Sequence, residues 1–288
     1  MKSLLGYYGG KAGPVGAWIA AQLPPHRIYV EPFGGMAGVL MQKRPSKTEV
    51  YNDKSNLLVN LFRVLRDPDH RADLEQQLRL TPYARHEFEA CFRGLHDQVP
   101  PVELARRTFV VIGQSFHGTL TNKSWSFGGG KNQGSVANAF QDSVARIQAV
   151  AERLCRVEVE GVDWRQICRQ WDGPDSLFYV DPPYKAETRS KGRAKQYHHE
   201  ATDQDHADLL TWCRNAKSAV LLSGYRNDLY AAELEQFGWL RRDFATVAHS
   251  SAARNKGSVA KRVESLWLNP VAATHTPTLF CGLSAPTL

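Results

Sequence analysis

Cysteine is scarce: the five residues, at 91, 155, 168, 213 and 281, form no C-x-x-C pair. An odd number at irregular spacing argues against a disulfide framework and for free thiols in a reducing compartment such as the cytoplasm. No stretch approaches the ~18 consecutive apolar residues of a membrane helix, so no membrane span is expected. The start, Met1 to Gly6, lacks a long apolar segment, and a signal peptide is not expected either. No internal repeat is visible. Gly113-Gln114-Ser115-Phe116-His117-Gly118 does not have the G-x-S-x-G spacing of a hydrolase elbow, which discounts Ser115 as a nucleophile. The adjacent His198 and His199 have neither a cysteine nor a histidine at i,i+4 on a helix beside them, so no metal is expected.

What is there in strength is a strand with an abrupt end. Leu177-Phe178-Tyr179-Val180 reads as a buried strand, and Asp181-Pro182-Pro183-Tyr184 follows it. Neither proline donates to a ladder, so the strand stops and leaves Asp181 and Tyr184 on a stiff turn. In open α/β sheets ligands bind at that carboxyl edge. The turn suits attack by a conjugated amine on a planar ring. Asp181 accepts one N–H and the Pro182 carbonyl the other, which frees the nitrogen lone pair. Tyr184 offers a face for the ring to stack on.

Other segments support a nucleotide-handling α/β fold. Tyr7-Tyr8-Gly9-Gly10-Lys11 is a loop whose backbone can approach a ligand. Arg27 to Leu40 reads as strand, glycine turn and helix, with Glu31, Phe33, Gly34, Gly35 and Gly38 at the turn. A second strand ends at Asp53, 22 residues beyond Glu31 and near the ~20-residue offset of a ribose-binding acid. Leu57, Leu58, Leu61, Phe62, Val64 and Leu65 then form a helical stripe ended by Asp67-Pro68. The segment 69–154 reads as mainly helical, with Thr81-Pro82 as a helix start. Strands are expected at Arg156–Val162, Ala219–Ser223, Phe244–Ala248 and Val263–Leu268, with helices at Trp164–Trp171, after Thr202 and at Leu229–Phe237. Strand–helix alternation on both sides of a helical block predicts a mostly parallel α/β sheet with a helical insert.

The formal charge of +7 points to a polyanionic partner such as nucleic acid. The loop 118–135 carries Asn122, Lys123 and an exposed-looking Trp125, and reads either as a solvated loop or as one that reads nucleic acid. Lys185, Arg189, Lys191, Arg193 and Lys195 follow the Pro-Pro turn, and Arg254 and Lys256 precede the last strand. Both groups suit phosphate contacts.

Taken together and in order, these pieces resemble a DNA N6-adenine methyltransferase of the Dam-like D12 class, in a phage-encoded style. The resemblance is carried by Tyr8-Gly9-Gly10-Lys11, Val30 to Gly35, Tyr51-Asn52-Asp53, Ser115-Phe116-x-Gly118, Asp181 to Tyr184, Leu222 to Tyr225 and Leu266 to Pro270, covering roughly residues 4–270. One departure stands out: Ala37 replaces the last glycine of the family's F-x-G-x-G.

The resemblance implies a Rossmann-like S-adenosylmethionine-dependent methyltransferase sheet, S-adenosylmethionine as methyl donor, S-adenosylhomocysteine as product and no metal. It implies Tyr7 near the adenine of that donor, Lys11 near its methionine part, the turn Glu31–Gly35 holding the methionine, and Asp53 on the ribose hydroxyls. Asp181, Pro182 and Tyr184 would then face a flipped adenine in double-stranded DNA. The expected organisation is a catalytic domain from 1–68 and 155–270, a target-recognition insert at 69–154, and a loosely ordered tail at 271–288. A monomer in the bacterial cytoplasm, prophage-encoded or part of restriction–modification, is the expected setting. An RNA or protein amide methyltransferase is the alternative enzyme, though such enzymes commonly carry Asn before Pro-Pro-Tyr. A DNA-binding protein without catalysis is the other alternative, against which Asp181, Asp53 and Lys11 speak.

Overall fold

The computed structural model describes residues 1–128, 135–183, 202–226, 228–247 and 261–274. It is a mixed α/β fold built on one seven-stranded sheet. The strands are β1 (Ile28–Glu31), β2 (Thr48–Asn52), β3 (Glu158–Glu160), β4 (Ser176–Val180), β5 (Ala219–Gly224), β6 (Leu240–Val247) and β7 (Lys261–Leu268). Their order is β3-β2-β1-β4-β5-β7-β6. The first five are parallel, and β7 runs antiparallel to both of its neighbours. This is the Rossmann-like, mostly parallel sheet expected from the sequence.

Side chains alternate across the sheet as the two-residue period requires. Val30, Val50, Phe178, Val180, Val220, Leu222 and Trp267 face one layer. There they meet α8 (Trp164–Trp171), through Ile167 and Cys168, and α9 (Asp203–Asn215), through Leu209, Leu210 and Cys213. Tyr29, Tyr51, Leu177, Leu221, Leu266 and Leu268 face the other layer. Each fully buried aliphatic or aromatic side chain contributes about 1.5–3 kcal/mol, so strands covered on both faces are the stable centre.

The second layer consists of α1 (Pro14–Gln22) and six helices between β2 and β3. These are α2 (Asn56–Arg66), α3 (Pro68–Leu80), α4 (Arg85–Arg93), α5 (Pro101–Gln114), α6 (Val136–Ala145) and α7 (Ile147–Leu154). Helix α2 buries the stripe from Leu57 to Leu65 and turns Arg63 and Arg66 outward. Asp67 ends it and starts the next helix: its carboxylate accepts the N–H groups of Asp69 and His70 at 3.0 and 2.9 Å, with Pro68 at the first helical position. The apolar residues of α2–α7 and of this sheet face form one continuous cluster. The helical block therefore shares its core with the sheet.

Several local expectations are corrected. Thr81-Pro82 ends a helix: Thr81 caps α3, its N–H on Leu78 and its hydroxyl on the Gln77 carbonyl, and α4 begins only at Arg85. The helix expected after the glycine turn is instead a chain of tight turns through residue 42, because Ala37 takes a left-handed conformation (φ 54°). The expected helix at Leu229–Phe237 divides into α10 (Asp228–Glu233) and a 3-10 turn, Glu235–Phe237. Strand β6 begins at Leu240, four residues before the expected start. Helix α1 has no counterpart among the expected elements, because its apolar residues form no stripe. The start of the tail is ordered: α11 (Pro270–Thr274) is capped by Asn269, whose side-chain oxygen accepts the N–H groups of Ala272 and Val220.

Candidate active site

Strand β1 lies between β2 and β4, although the chain leaves β1 for β2 and returns to β4 only after seven helices have intervened. Connections on opposite sides of β1 open a crevice at the carboxyl ends of these strands, the place where such sheets bind ligands. Strand parity aims polar groups at it. Tyr29 and Glu31, Tyr179 and Asp181, Leu221 and Ser223, and Leu266 and Glu264 each share one face, with the polar member nearer the crevice.

Lys11 sits at the centre. Its Nζ donates to both carboxylate oxygens of Asp181 at 2.9 Å and to the Gly9 carbonyl at 3.0 Å. It lies 3.4 Å from Glu264 Oε1, and that oxygen accepts the Ser223 hydroxyl at 2.8 Å. The three charged side chains are 6% (Lys11), 14% (Asp181) and 7% (Glu264) exposed. Burial opposes the ammonium charge of Lys11, but Asp181 and then Glu264 outweigh it, holding its pKa above the ordinary lysine value.

Glu31 lies deeper. Its Oε1 accepts the Tyr29 hydroxyl at 2.6 Å and the Leu40 N–H at 2.8 Å. Burial pushes its carboxyl up to about 7, and these two hydrogen bonds only partly offset that. Asp53 ties two loops together, with one oxygen on the Gly35 N–H at 2.9 Å and the other on the Ser55 N–H at 2.8 Å. Asn52 pins the wall beside it, bonding the Pro32 carbonyl and both the N–H and carbonyl of Val162. The phenol of Tyr7 is held well above its usual pKa, by burial first and then by Asp53.

Tyr7, Lys11, Glu31, Phe33, Gly34, Gly35, Asp53, Asp181 and Pro182 all line this one cleft, although the sequence disperses them from residue 7 to residue 182. The glycines serve a purpose that the sequence reading did not assign. A Cβ on Gly34 would lie 2.2 Å from the Tyr51 ring, and one on Gly38 would lie 2.8 Å from the Lys11 carbonyl. Both positions let the chain pack closely on itself and so seat the ring and Lys11.

Sequence reasoning assigned no site role to Glu264, Ser223, Asp163 or Trp164, of which the last two also line the cleft. A signal existed for Glu264. It stands at i−2 and i−4 from the buried Leu266 and Leu268, so the period of the strand puts its carboxylate on the covered face.

The loop predicted to read nucleic acid is only partly as expected. Trp125 is half-buried: its indole N–H reaches Gln114 at 3.3 Å, and the Arg85 guanidinium lies 4.9 Å from its ring. Ser115 and Trp125 pair as an antiparallel bridge that closes the loop. Asn122 and Lys123 are exposed, with Lys123 Nζ 3.5 Å from Glu89. The exposed rings here are Phe116 and Phe127, and Phe127 stacks on Trp125. Ser115 is buried, its hydroxyl tied to the Ile112 carbonyl and the Thr119 N–H. Tyr184, Lys185, Arg189, Lys191, Arg193, Lys195, Arg254 and Lys256 lie outside the described residues, as do His198 and His199. Among the described residues no cluster of His, Cys, Asp and Glu could hold a metal, and no helix is long and apolar enough to cross a membrane.

Compared with known proteins, residues 7–246 match the family described as D12 class N6 adenine-specific DNA methyltransferase. No curated protein matches the chain.

Proposed function

Because this chain belongs to the D12 class of N6 adenine-specific DNA methyltransferases, we propose that it takes the methyl group from S-adenosylmethionine and places it on an adenine flipped out of duplex DNA. That it is an adenine-specific DNA methyltransferase follows from the family. The family decides against an RNA or protein amide methyltransferase and against a binding protein without catalysis.

The observation that carries the finer reading is the make-up of the cleft wall. Asp53, Asp163, Asp181 and Asp205 line it against Lys11 and Lys54, with the partly protonated Glu31 among them. A wall rich in carboxylates suits a donor that is positively charged and carries a ribose diol. Bound there, S-adenosylmethionine supplies a methyl group on a cationic sulfur. Asp53 would accept from the diol with lone pairs left over from its two backbone bonds. Tyr7 and the turn Glu31–Gly35 would flank the remainder, and Lys11 would approach the methionine part.

Asp181 and the Pro182 carbonyl are then the two acceptors for the target amine. They polarise both N–H bonds and free the lone pair for in-line attack, and the methylated nitrogen then releases its surplus proton to solvent. Proximity does most of the work, and no covalent enzyme intermediate is needed. Tyr184 would stack on the flipped ring. Flipping costs a few kcal/mol, which phosphate contacts from the basic segments 185–195 and 254–256 would offset. Asn122 and Lys123, with the exposed Phe116 and Phe127 beside them, support assigning target recognition to segment 69–154, with catalysis in 1–68 and 155–270.

The test is single-turnover transfer of labelled methyl groups to duplex DNA. Asp181→Ala should lower the rate on the order of 10² to 10⁴, as expected when a positioned hydrogen-bond acceptor for the reacting amine is lost. Transfer by that variant at the wild-type rate would remove Asp181 from the mechanism.

A further inference from the structure

Glu264 is an expensive residue to keep where it is. A carboxylate loses several kcal/mol of solvation on burial, and this side chain is 7% exposed on a strand that runs on into the buried Leu266, Trp267 and Leu268. It is held from two sides, by the Ser223 hydroxyl at 2.8 Å and by Lys11 at 3.4 Å. Lys11 in turn bonds both oxygens of Asp181. Among the described strands β7 is the one that runs reversed, and it brings an acid from near the end of the chain to the catalytic turn.

The electrostatic consequence follows from the charges. An ammonium bound to Asp181 cancels the negative charge of that carboxylate at the cleft. It also opposes any cation placed nearby, and in the reaction proposed above two groups are cationic in turn: the donor sulfur before transfer and the amine nitrogen as it is methylated. A second carboxylate on the same ammonium returns one negative charge to the cluster. Whatever else surrounds these residues, replacing Glu264 by an uncharged side chain makes the site one unit less negative.

We propose that Glu264 is a positioning residue which holds Lys11 on Asp181 and supplies the charge that makes the cleft favour the cationic sulfur of the donor over the neutral thioether of the product. This rests on S-adenosylmethionine being the donor. The bias has a direction that helps turnover, because transfer removes the very charge that Glu264 attracts, and the product is then held less firmly than the donor.

Calorimetry with S-adenosylmethionine and S-adenosylhomocysteine separates charge from shape, since the two ligands differ only in the methyl group and its positive charge. Glu264→Gln keeps an oxygen for Ser223 and Lys11. It should weaken donor binding more than product binding, lowering the preference for the donor roughly three- to tenfold, the scale of one charge acting across about 10 Å at an effective dielectric of about 30. Glu264→Asp keeps the charge and should keep the preference. A Glu264→Gln chain that loses affinity for both ligands by the same factor, or that fails to fold, makes Glu264 a structural residue and overturns the proposal. A wild-type chain that binds neither ligand instead removes the donor assigned above.

Discussion

The Tyr29 hydroxyl donates to Glu31 at 2.6 Å, two residues along the same face of β1 and beneath the cleft. The pair is fully covered, so the carboxyl keeps its proton to about pH 7, where an exposed one would lose it near 4.5. Folding therefore takes up a proton between those values, and the contribution of Glu31 to stability falls as pH rises from about 4.5 to about 7, then levels off. Glu31→Gln is neutral throughout and should gain on the wild type across that window, by on the order of 3 kcal/mol at its upper end. Urea unfolding at pH 5 and pH 8 measures this. A stability difference that is the same at both pH values would show that Glu31 is not buried as described.

Ala37 is fully buried and left-handed at φ 54°. That conformation costs an ordinary residue about 1–2 kcal/mol. Ala37→Gly relieves it but loses a buried methyl and gains unfolded-state entropy, so the variant should lie within about 1 kcal/mol of the wild type. Ala37→Val puts a branched side chain in the same conformation and in filled space, and should cost about 2 kcal/mol or more. Thermal melts of the two variants decide it, and equal melting temperatures would contradict the turn geometry.

Asp53 holds two backbone N–H groups as well as facing the cleft. Asp53→Ala should therefore weaken S-adenosylmethionine binding and also cost about 1–3 kcal/mol of stability from the donors it leaves unmatched. Asp53→Asn, which keeps one acceptor, should recover part of the stability. Calorimetric titration alongside chemical unfolding separates the two effects. Unchanged affinity in a folded Asp53→Ala chain would take Asp53 out of the ligand site.

Some of this protein could be read from local sequence because the governing physics is local. Phe178 to Val180 is a strand because its side chains are apolar on both faces, and Pro182-Pro183 stops it because prolines cannot continue a ladder. Asp67-Pro68 separates two helices because the carboxylate caps one and the proline ring starts it. Such residues identify an α/β fold, the end of β4 and Asp181 without any knowledge of distant partners. Tertiary structure decided the rest. Thr81 caps rather than starts a helix, Trp125 packs half-buried beside Arg85, and the turn after Gly35 does not become a helix. In each case the outcome depends on space that other segments fill. The meeting of Lys11, Asp181 and Glu264 is the clearest instance. Only the switch point between β1 and β4, with β7 reversed beside β5, brings their charges together. Once buried, such charges are stable only in one another's company, and no local pattern records which partner each will find.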